Sequence, residues 1–414
     1  MTRGQKGLPR RRRLPGRAHD ERSGDGPMSG PRIALVTPFP PVAGGGGSII
    51  YRSLLPHLED AEIRWFYLAD RDASAPGSTW LGPNLLGGSM AVDAMNSAKL
   101  FVAQRHSAVG AWVKRILNWS PDIVWLSAMN EGLLLGKKLS KSGVKHLHVS
   151  VHDDPAAAAH RSRRYRHLAL FIDRCHRELL QRANTVEVVS EGMQRYYHDR
   201  WGIESGVVYR YVKDFRMPDP GATDEQVVTI GHAGSAYSAP EVFAFLGALR
   251  SVSQADGTVF RVLNFGNSPA FLAAAARFPE IVVNAGNVPE STVVEQLQQC
   301  RFLYSMYSFS ERHRIFRETS QPTKMSTYLM AAKPILAHCP LGSSTNYMLS
   351  RYRLGISIAS METAAIADAI RQIMKLSVEA DEVHQAAAYY CGRRNLDFLH
   401  QCFGLQPAAM ESQP

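Results

Sequence analysis

The chain has 414 residues, 45% of them apolar and 20% charged. That composition excludes a disordered or fibrous protein, and the length calls for two domains of roughly 150–200 residues each. The formal net charge is +10, but residues 1–30 hold eight Lys or Arg against three Asp or Glu, so the remainder is only mildly basic. This argues against a dedicated nucleic-acid binder and suits anionic small ligands or an anionic membrane surface.

Residues 1–30 read as a disordered basic leader without the apolar core of a secretory signal, and Met28 stands just before the first convincing strand. No stretch approaches the ~20 uninterrupted apolar residues of a membrane span. Cys175, Cys300, Cys339, Cys391 and Cys402 are scattered, with no C-x-x-C pair. They give neither zinc spacing nor a disulfide framework, and a cytoplasmic location is expected.

In chain order, Arg32–Thr37 is the first strand. It runs through Pro38-Phe-Pro-Pro41 into Gly44-Gly-Gly-Gly47, after which Ser48 is placed to cap a helix reaching Leu58. Strand, glycine loop and helix open a nucleotide-handling α/β domain. Gly45 and Gly46 let backbone N–H groups approach a phosphate at a helix N-terminus. The spacing is neither G-x-G-x-x-G nor the P-loop. Further strands are expected at Ile63–Leu68, Ile123–Ser127, Lys145–Val151 and Thr185–Ser190. A helix is expected over Ser162–Arg182, where Leu168, Phe171, Cys175 and Leu179 recur at helical spacing. Short apolar strands alternating with helices imply a parallel sheet covered on both faces.

Val149–Pro155 ends a strand with His152, Asp153 and Asp154, at the edge where open α/β sheets bind ligands. His152 suits a sugar hydroxyl. The two aspartates suit hydroxyls or a metal, or else cap the helix that Pro155 begins. The run His160-Arg-Ser-Arg-Arg-Tyr-Arg-His167 offers Arg161, Arg163, Arg164 and Arg166 to anionic head groups or a phosphorylated acceptor. The alternative is a solvated helix face.

Lys213–Glu225, polar with two prolines and a glycine, reads as a linker. A second α/β series follows, with strands expected at Val227–Gly231, Val259–Asn264, Ile281–Val283, Arg301–Met306 and Pro334–His338. Helices are expected at Pro240–Ser253 and Glu290–Gln299. The domain reading is therefore 31–212, a linker at 213–226, and 227–395, with 396–414 as a helix and tail. Gly234 and Ser235 follow the first strand of the second series and offer donors to a diphosphate. The backbone of Asn284–Glu290 suits a nucleobase edge. Pro322 and Thr323 start a helix, and Lys324 at its N-terminus is well placed to hold a diphosphate.

Together these residues resemble the retaining family-four glycosyltransferases. Val36-Thr-Pro-Phe-Pro-Pro-x-x-Gly-Gly is similar to that family's opening strand and glycine loop, and Glu187-Val-Val-Ser-Glu-Gly-Met-Gln-Arg-Tyr to the strand and helix before its linker. Gly231-x-x-Gly-Ser, Asn287-Val-Pro and Pro322-Thr-Lys-x-x-x-Tyr-Leu-x-x-x-Lys-Pro-Ile are similar to its donor domain. The resemblance spans about residues 32–400. It implies a GT-B fold: two Rossmann-like domains with parallel sheets facing across a cleft. It implies transfer of a sugar from a nucleotide-sugar donor to a glycan or lipid-linked acceptor, with no cofactor and no obligatory metal. It puts Gly45 and Gly46 at the phosphates and His152 at the donor sugar. Lys324 and Ser235 fall at the diphosphate, Gly286, Asn287 and Val288 along the base, and Gly234, Thr323 and Thr327 within the donor site. A last helix, expected over Glu382–Cys402, returns toward the first half. One departure stands out. The family carries two glutamates eight positions apart beside the lysine, and here those positions read Thr319 and Thr327. A hydroxyl holds ribose less firmly than a carboxylate. Two rival functions follow: a sugar-nucleotide epimerase of the same fold, and a catalytically degenerate binding subunit.

Overall fold

The computed structural model describes residues 30–42, 46–73, 75–87, 90–99, 106–213, 215, 217 and 227–406. Residues 1–29, Gly45 and most of the expected linker lie outside the described residues.

The first half runs β1 (Arg32–Thr37), α1 (Gly46–Leu54), β2 (Glu62–Leu68), β3 (Ser78–Gly82), α2 (Met90–Ser97), α3 (Ser107–Leu117), β4 (Ile123–Ser127) and α4 (Gly132–Leu139). It continues with β5 (His146–Val151), α5 (Pro155–Arg161), α6 (Ala169–Arg182), β6 (Thr185–Val188), α7 (Glu191–Trp201) and β7 (Gly206–Val207). The second half runs β8 (Val227–Ala233), α8 (Ala239–Asp256), β9 (Val259–Phe265), α9 (Pro269–Arg277), β10 (Val282–Gly286), α10 (Glu290–Gln298), β11 (Phe302–Met306) and α11 (Arg314–Thr319). Then come α12 (Lys324–Ala331), β12 (Ile335–His338), α13 (Ser344–Tyr352), β13 (Gly355–Ile358), α14 (Thr363–Ile373), α15 (Ala380–Cys391) and α16 (Arg394–Phe403).

All strand pairs are parallel, and the sheet orders are β3-β2-β1-β4-β5-β6-β7 and β10-β9-β8-β11-β12-β13. Both orders reverse direction beside their first strand, which opens a crevice at the carboxyl ends of β1 and β4 and of β8 and β11. The central strands are buried along nearly their whole length, because helices cover both faces; Ile33 to Thr37 of β1 are buried without alternation. This is the GT-B architecture.

The sheets are wider and the helices more broken than the sequence pattern implies. β3, β7 and β13 are additional edge strands. The helix expected from a Ser48 cap instead begins at Gly46, with Ser48 inside it and its Oγ donating to the Val42 carbonyl at 2.8 Å; it ends at Leu54 and passes into a 3-10 turn containing Pro56, whose ring cannot continue an α-helix. Ser162–Arg182 is not one helix: a turn and a 3-10 segment at Arg166–Leu168 precede α6. Asp93 of α2 holds that turn by accepting from Arg164 Nη1 at 2.5 Å and Tyr165 Oη at 2.6 Å. Glu382–Cys402 is likewise two helices, parted at Gly392, where a Cβ would lie 2.1 Å from the Ala388 carbonyl oxygen.

Two crossings join the halves side by side. Outgoing Val208–Val212 meets the α15–α16 junction, where Asn395 donates to the carbonyls of Arg210 (2.8 Å) and Tyr390 (3.0 Å). α16 then packs on the first sheet. Its Phe403 ring lies 5.2 Å from Trp125, and His400 Nε2 donates to the His57 carbonyl at 3.2 Å.

Candidate functional site

The cleft between the halves narrows to a cavity of about 320 Å³ at both crevices. The first half contributes Gly47 and Ile50 of α1, Met129 after β4, and His152 and Asp153 after β5. The second contributes Gly234, Ser235 and Tyr237 after β8, Phe316 of α11, and the run Ser320–Lys324. His152, Asp153, Gly234, Ser235, Thr323 and Lys324, scattered in sequence, therefore share one cavity.

Lys324 is the first residue of α12. Thr323 occupies the N-cap, but its side chain makes no capping bond. The lysine is buried, and Nζ donates to the Ser235 carbonyl at 2.7 Å and to His232 Nε2 at 3.1 Å. His232 in turn reaches Asn264 Oδ1 at 2.8 Å through Nδ1, and Asn264 Nδ2 donates to Asn284 Oδ1 at 2.6 Å. The lysine's bond to Nε2 assigns the ring proton to Nδ1. Burial drives His232 far below its ordinary range, with the Lys324 charge adding to it, so the ring is a neutral acceptor. Burial also pulls Lys324 down to about 7. Among the described residues no carboxylate pairs with this amine. A buried cation without a countercharge is costly until an anion arrives.

His152 faces it from the end of β5. Its ring lies 5.1 Å from Tyr51, and Nδ1 has no hydrogen-bond partner. Gly47 makes room for it, since a Cβ there would sit 3.3 Å from Nδ1. Burial draws the imidazole down to about 4, against a smaller upward pull from buried Glu187. It is therefore neutral at pH 7; the ring lines the cavity, while its unpaired Nδ1 is buried beneath Gly47. Asp153 accepts from Ser320 Oγ across the cleft at 2.5 Å, and burial raises its carboxyl.

Several sequence readings change. Asp154 does not face the cavity: its carboxylate accepts from Ala157 N (2.6 Å) and Tyr197 Oη (2.9 Å), so it caps α5 and is no sugar contact. The Gly234 N–H is spent on the Phe265 carbonyl at 2.7 Å and cannot serve a diphosphate; Gly234 instead supplies a turn at φ +73°. Gly286, the last residue of β10 with φ +69°, and exposed Asn287 and Val288 on the loop to α10 do not line the cavity around Lys324. Gly46 opens α1. Of the four arginines, Arg164 is tied to Asp93, and Arg161 lies over the Phe316 ring at 4.2 Å, facing the seam between the halves. Arg163 and Arg166 are exposed.

The threonines at the expected glutamate positions have partners the sequence did not disclose. Thr319 is buried and donates to Ile315 O at 2.6 Å. Thr327 donates at 2.9 Å to Oε1 of Glu290, the first residue of α10. Arg210, from the outgoing crossing, grips the same carboxylate at 2.7 and 3.2 Å. Burial works to raise Glu290, but the guanidinium outweighs it and holds the acid below its ordinary range. A carboxylate thus stands beside Thr327 after all, brought from a neighbouring helix. The halves are also joined by Ser190 Oγ donating to the Thr319 carbonyl and Tyr209 Oη to the Pro322 carbonyl.

No protein-family model matches the chain, and no curated protein matches it in sequence. Solved structures do match. Sucrose-phosphate synthase from Thermosynechococcus elongatus superposes with a TM-score of 0.64 at 11% identity, over 90% of this chain and 98% of that one. The E. coli trehalose-6-phosphate structure bound with UDP-2-fluoro glucose gives 0.62 at 12% identity, over 91% and 100%. A putative UDP-N-acetylglucosamine 2-epimerase from Listeria monocytogenes gives 0.56 at 10% identity, over 89% and 95%. At these identities the likeness establishes the two-domain fold over nearly the whole chain, and chemistry must be argued from the site.

Proposed function

We propose that the protein is a glycosyltransferase that moves a sugar from a nucleotide-sugar donor to a glycan or lipid-linked acceptor, with retention and without an obligatory metal. The observation that carries the reading is Lys324, a buried amine with no carboxylate partner among the described residues, lining the interdomain cavity from the second half as His152 does from the first. The fold supports it, and so do the matched structures, which include a sucrose-phosphate synthase and a protein holding a UDP-sugar analogue.

In this reading the diphosphate of the donor sits at Lys324, with the Ser235 hydroxyl beside it. The bond from the sugar's anomeric carbon to the diphosphate breaks as the bond to the acceptor oxygen forms, and the acceptor proton leaves with a phosphate oxygen. Lys324 meets the negative charge that grows on the leaving group, in a site where water screens it poorly. The His152 imidazole, lining the cavity, holds a sugar hydroxyl and fixes the sugar's orientation. Glu290 and Thr327 receive the ribose hydroxyls, and the β10–α10 loop with Gly286, Asn287 and Val288 receives the base. Exposed Arg163, with Leu170 at 79% exposure and Phe171 close by, gives the first half a peripheral contact with an anionic membrane surface.

The test is turnover with a panel of UDP-, GDP- and ADP-sugars, with and without sugar acceptors, following nucleoside diphosphate release and the fate of the sugar. Acceptor-dependent release with a new glycosidic product is expected. An altered sugar formed without acceptor would assign the epimerase chemistry instead. No release and no nucleotide binding would leave a degenerate subunit.

A further inference from the structure

A second opening, of about 250 Å³, lies on the same seam between the halves. The first half lines it with His160 of α5 and Arg166 of the 3-10 segment before α6. The second half lines it with Glu311, Arg312, Arg314 and Ile315. It adjoins the cavity: Ile315 faces the opening while the next residue, Phe316, lines the cavity under Arg161. Arg312 Nη2 donates to the Arg161 carbonyl at 3.0 Å, so the two halves touch at this point.

The charges here are unusual. Glu311, the one acid in the lining, is bound by buried Arg317 at 2.8 Å; Arg314 only approaches it, at 3.6 Å. Arg166 has no acidic partner among the described residues, and the Arg312 bond goes to a neutral carbonyl. Exposed Arg166 of one half and exposed Arg312 and Arg314 of the other therefore line one opening with a surplus of positive charge. Helix dipoles do not explain it. His160 lies in the last turn of α5, where a cation is favoured, but Arg314 begins α11, where a cation is disfavoured. Guanidinium groups around a small opening match the geometry of a phosphate, which accepts paired N–H bonds from them.

We propose that this opening is a subsite for a phosphate group carried by the acceptor, and that it takes the phosphate of a sugar phosphate or of a lipid head group. The proposal rests on the transferase reading and names its acceptor class. It differs from the donor site in place and in partners, because the diphosphate cation Lys324 belongs to the neighbouring cavity. α5 links the two sites. It begins directly after His152–Asp154 and carries His160 roughly 8 Å further along its axis. A phosphate anchored at the opening leaves the rest of the acceptor free to reach His152 and Asp153. Because arginines of both halves hold it, acceptor binding also neutralises the seam and favours the closed arrangement.

The experiment is calorimetric titration of the full chain with inorganic phosphate and with a hexose 6-phosphate, plus co-sedimentation with phosphatidylcholine vesicles containing phosphatidic acid. Each is run on the wild type, on the Arg312→Gln/Arg314→Gln double variant, and on Arg115→Gln, an exposed arginine of α3 outside the opening. The double variant should lose about tenfold or more in phosphate affinity, and Arg115→Gln should match the wild type. Loss seen with hexose 6-phosphate assigns a soluble acceptor, and loss seen only with vesicles assigns a lipid head group. Equal phosphate affinity in the wild type and the double variant would overturn the proposal, as would an equal loss in Arg115→Gln. Nucleoside diphosphate binding is measured in the same samples. Its absence from the wild type would sink the transferase reading, whereas its retention in the double variant alongside lost phosphate binding supports both.

Discussion

The depressed lysine makes nucleotide binding a proton-linked event, and the size of the effect follows from the site. In the free chain Lys324 titrates near 7, so about half of the molecules carry the charge at neutral pH. A diphosphate at hydrogen-bond distance favours the charged form and returns the amine toward its ordinary 10.5. Binding then takes up a proton from solution at every pH between these values. Raising pH from 7 to 9 should weaken nucleoside diphosphate binding by up to about fifty-fold, or about 2 kcal/mol. The phosphate contributes little slope there, since its last ionisation has its midpoint near pH 6 and is about nine-tenths complete at pH 7. Lys324→Met removes the linkage. Its affinity at pH 7 should fall by about tenfold or more, and should then stay nearly flat to pH 9. Calorimetry in buffers of different ionisation enthalpy counts the protons directly, with about half a proton taken up at pH 7 and close to one at pH 8.5. A wild-type affinity that does not fall with pH, or a variant that keeps the wild-type slope, would refute the reasoning.

Other outcomes follow from the same geometry. His152 and His176 are held near 4 by burial, against 6.5 when unfolded. The unfolded chain therefore binds more protons below 6.5, so stability is full above that pH and is lost as pH falls toward 4, by up to about 3 kcal/mol for each ring; thermal unfolding of His176→Phe across this window should show a shallower decline. Gly192 of α7 faces the Glu318 carbonyl so closely that a Cβ would sit 1.9 Å from its oxygen. Gly192→Ala should force the halves apart at a cost of about 1–3 kcal/mol, visible as a lowered Tm and a larger radius of gyration in X-ray scattering. Arg210→Met leaves Glu290 without its cation. Because that carboxylate keeps more than a third of its side-chain exposure, the loss should be about 2 kcal/mol, below the range for fully buried pairs, and denaturant unfolding measures it.

How much of this the sequence disclosed depended on whether a signal was local. The central strands were legible because Ile33–Val36 or Ile123–Leu126 are uninterrupted apolar runs bounded by turns. β3 (STWLG) and β13 (GISI) were not, since edge strands are short and half-exposed. The break before α6 lay hidden because Arg164 and Tyr165 are anchored by Asp93, 71 and 72 positions away. Lys324 was legible from Pro322-Thr323 before it, a helix start at a strand-rich edge. What the lysine touches was not. His232 reads as one polar residue in an apolar strand, and its relay through Asn264 to Asn284 exists only when three strand ends come side by side. Thr327 looked like a missing acid until α10 was seen to bring Glu290 to it, from 37 positions upstream. Asp154 shows the converse. It sat beside His152 in sequence, yet the α5 N-terminus and Tyr197 use up its oxygens.

The central claim is that the cavity at Lys324 holds the diphosphate of a nucleotide sugar. Thermal unfolding of the wild type and of Lys324→Met against UDP, GDP and ADP tests it most directly. At a hundred times its dissociation constant, one of these ligands should add about 2.7 kcal/mol to the wild type, a shift of several degrees, and much less to the variant. A folded wild type whose unfolding moves with none of them, or a shift that survives intact in Lys324→Met, would contradict the account.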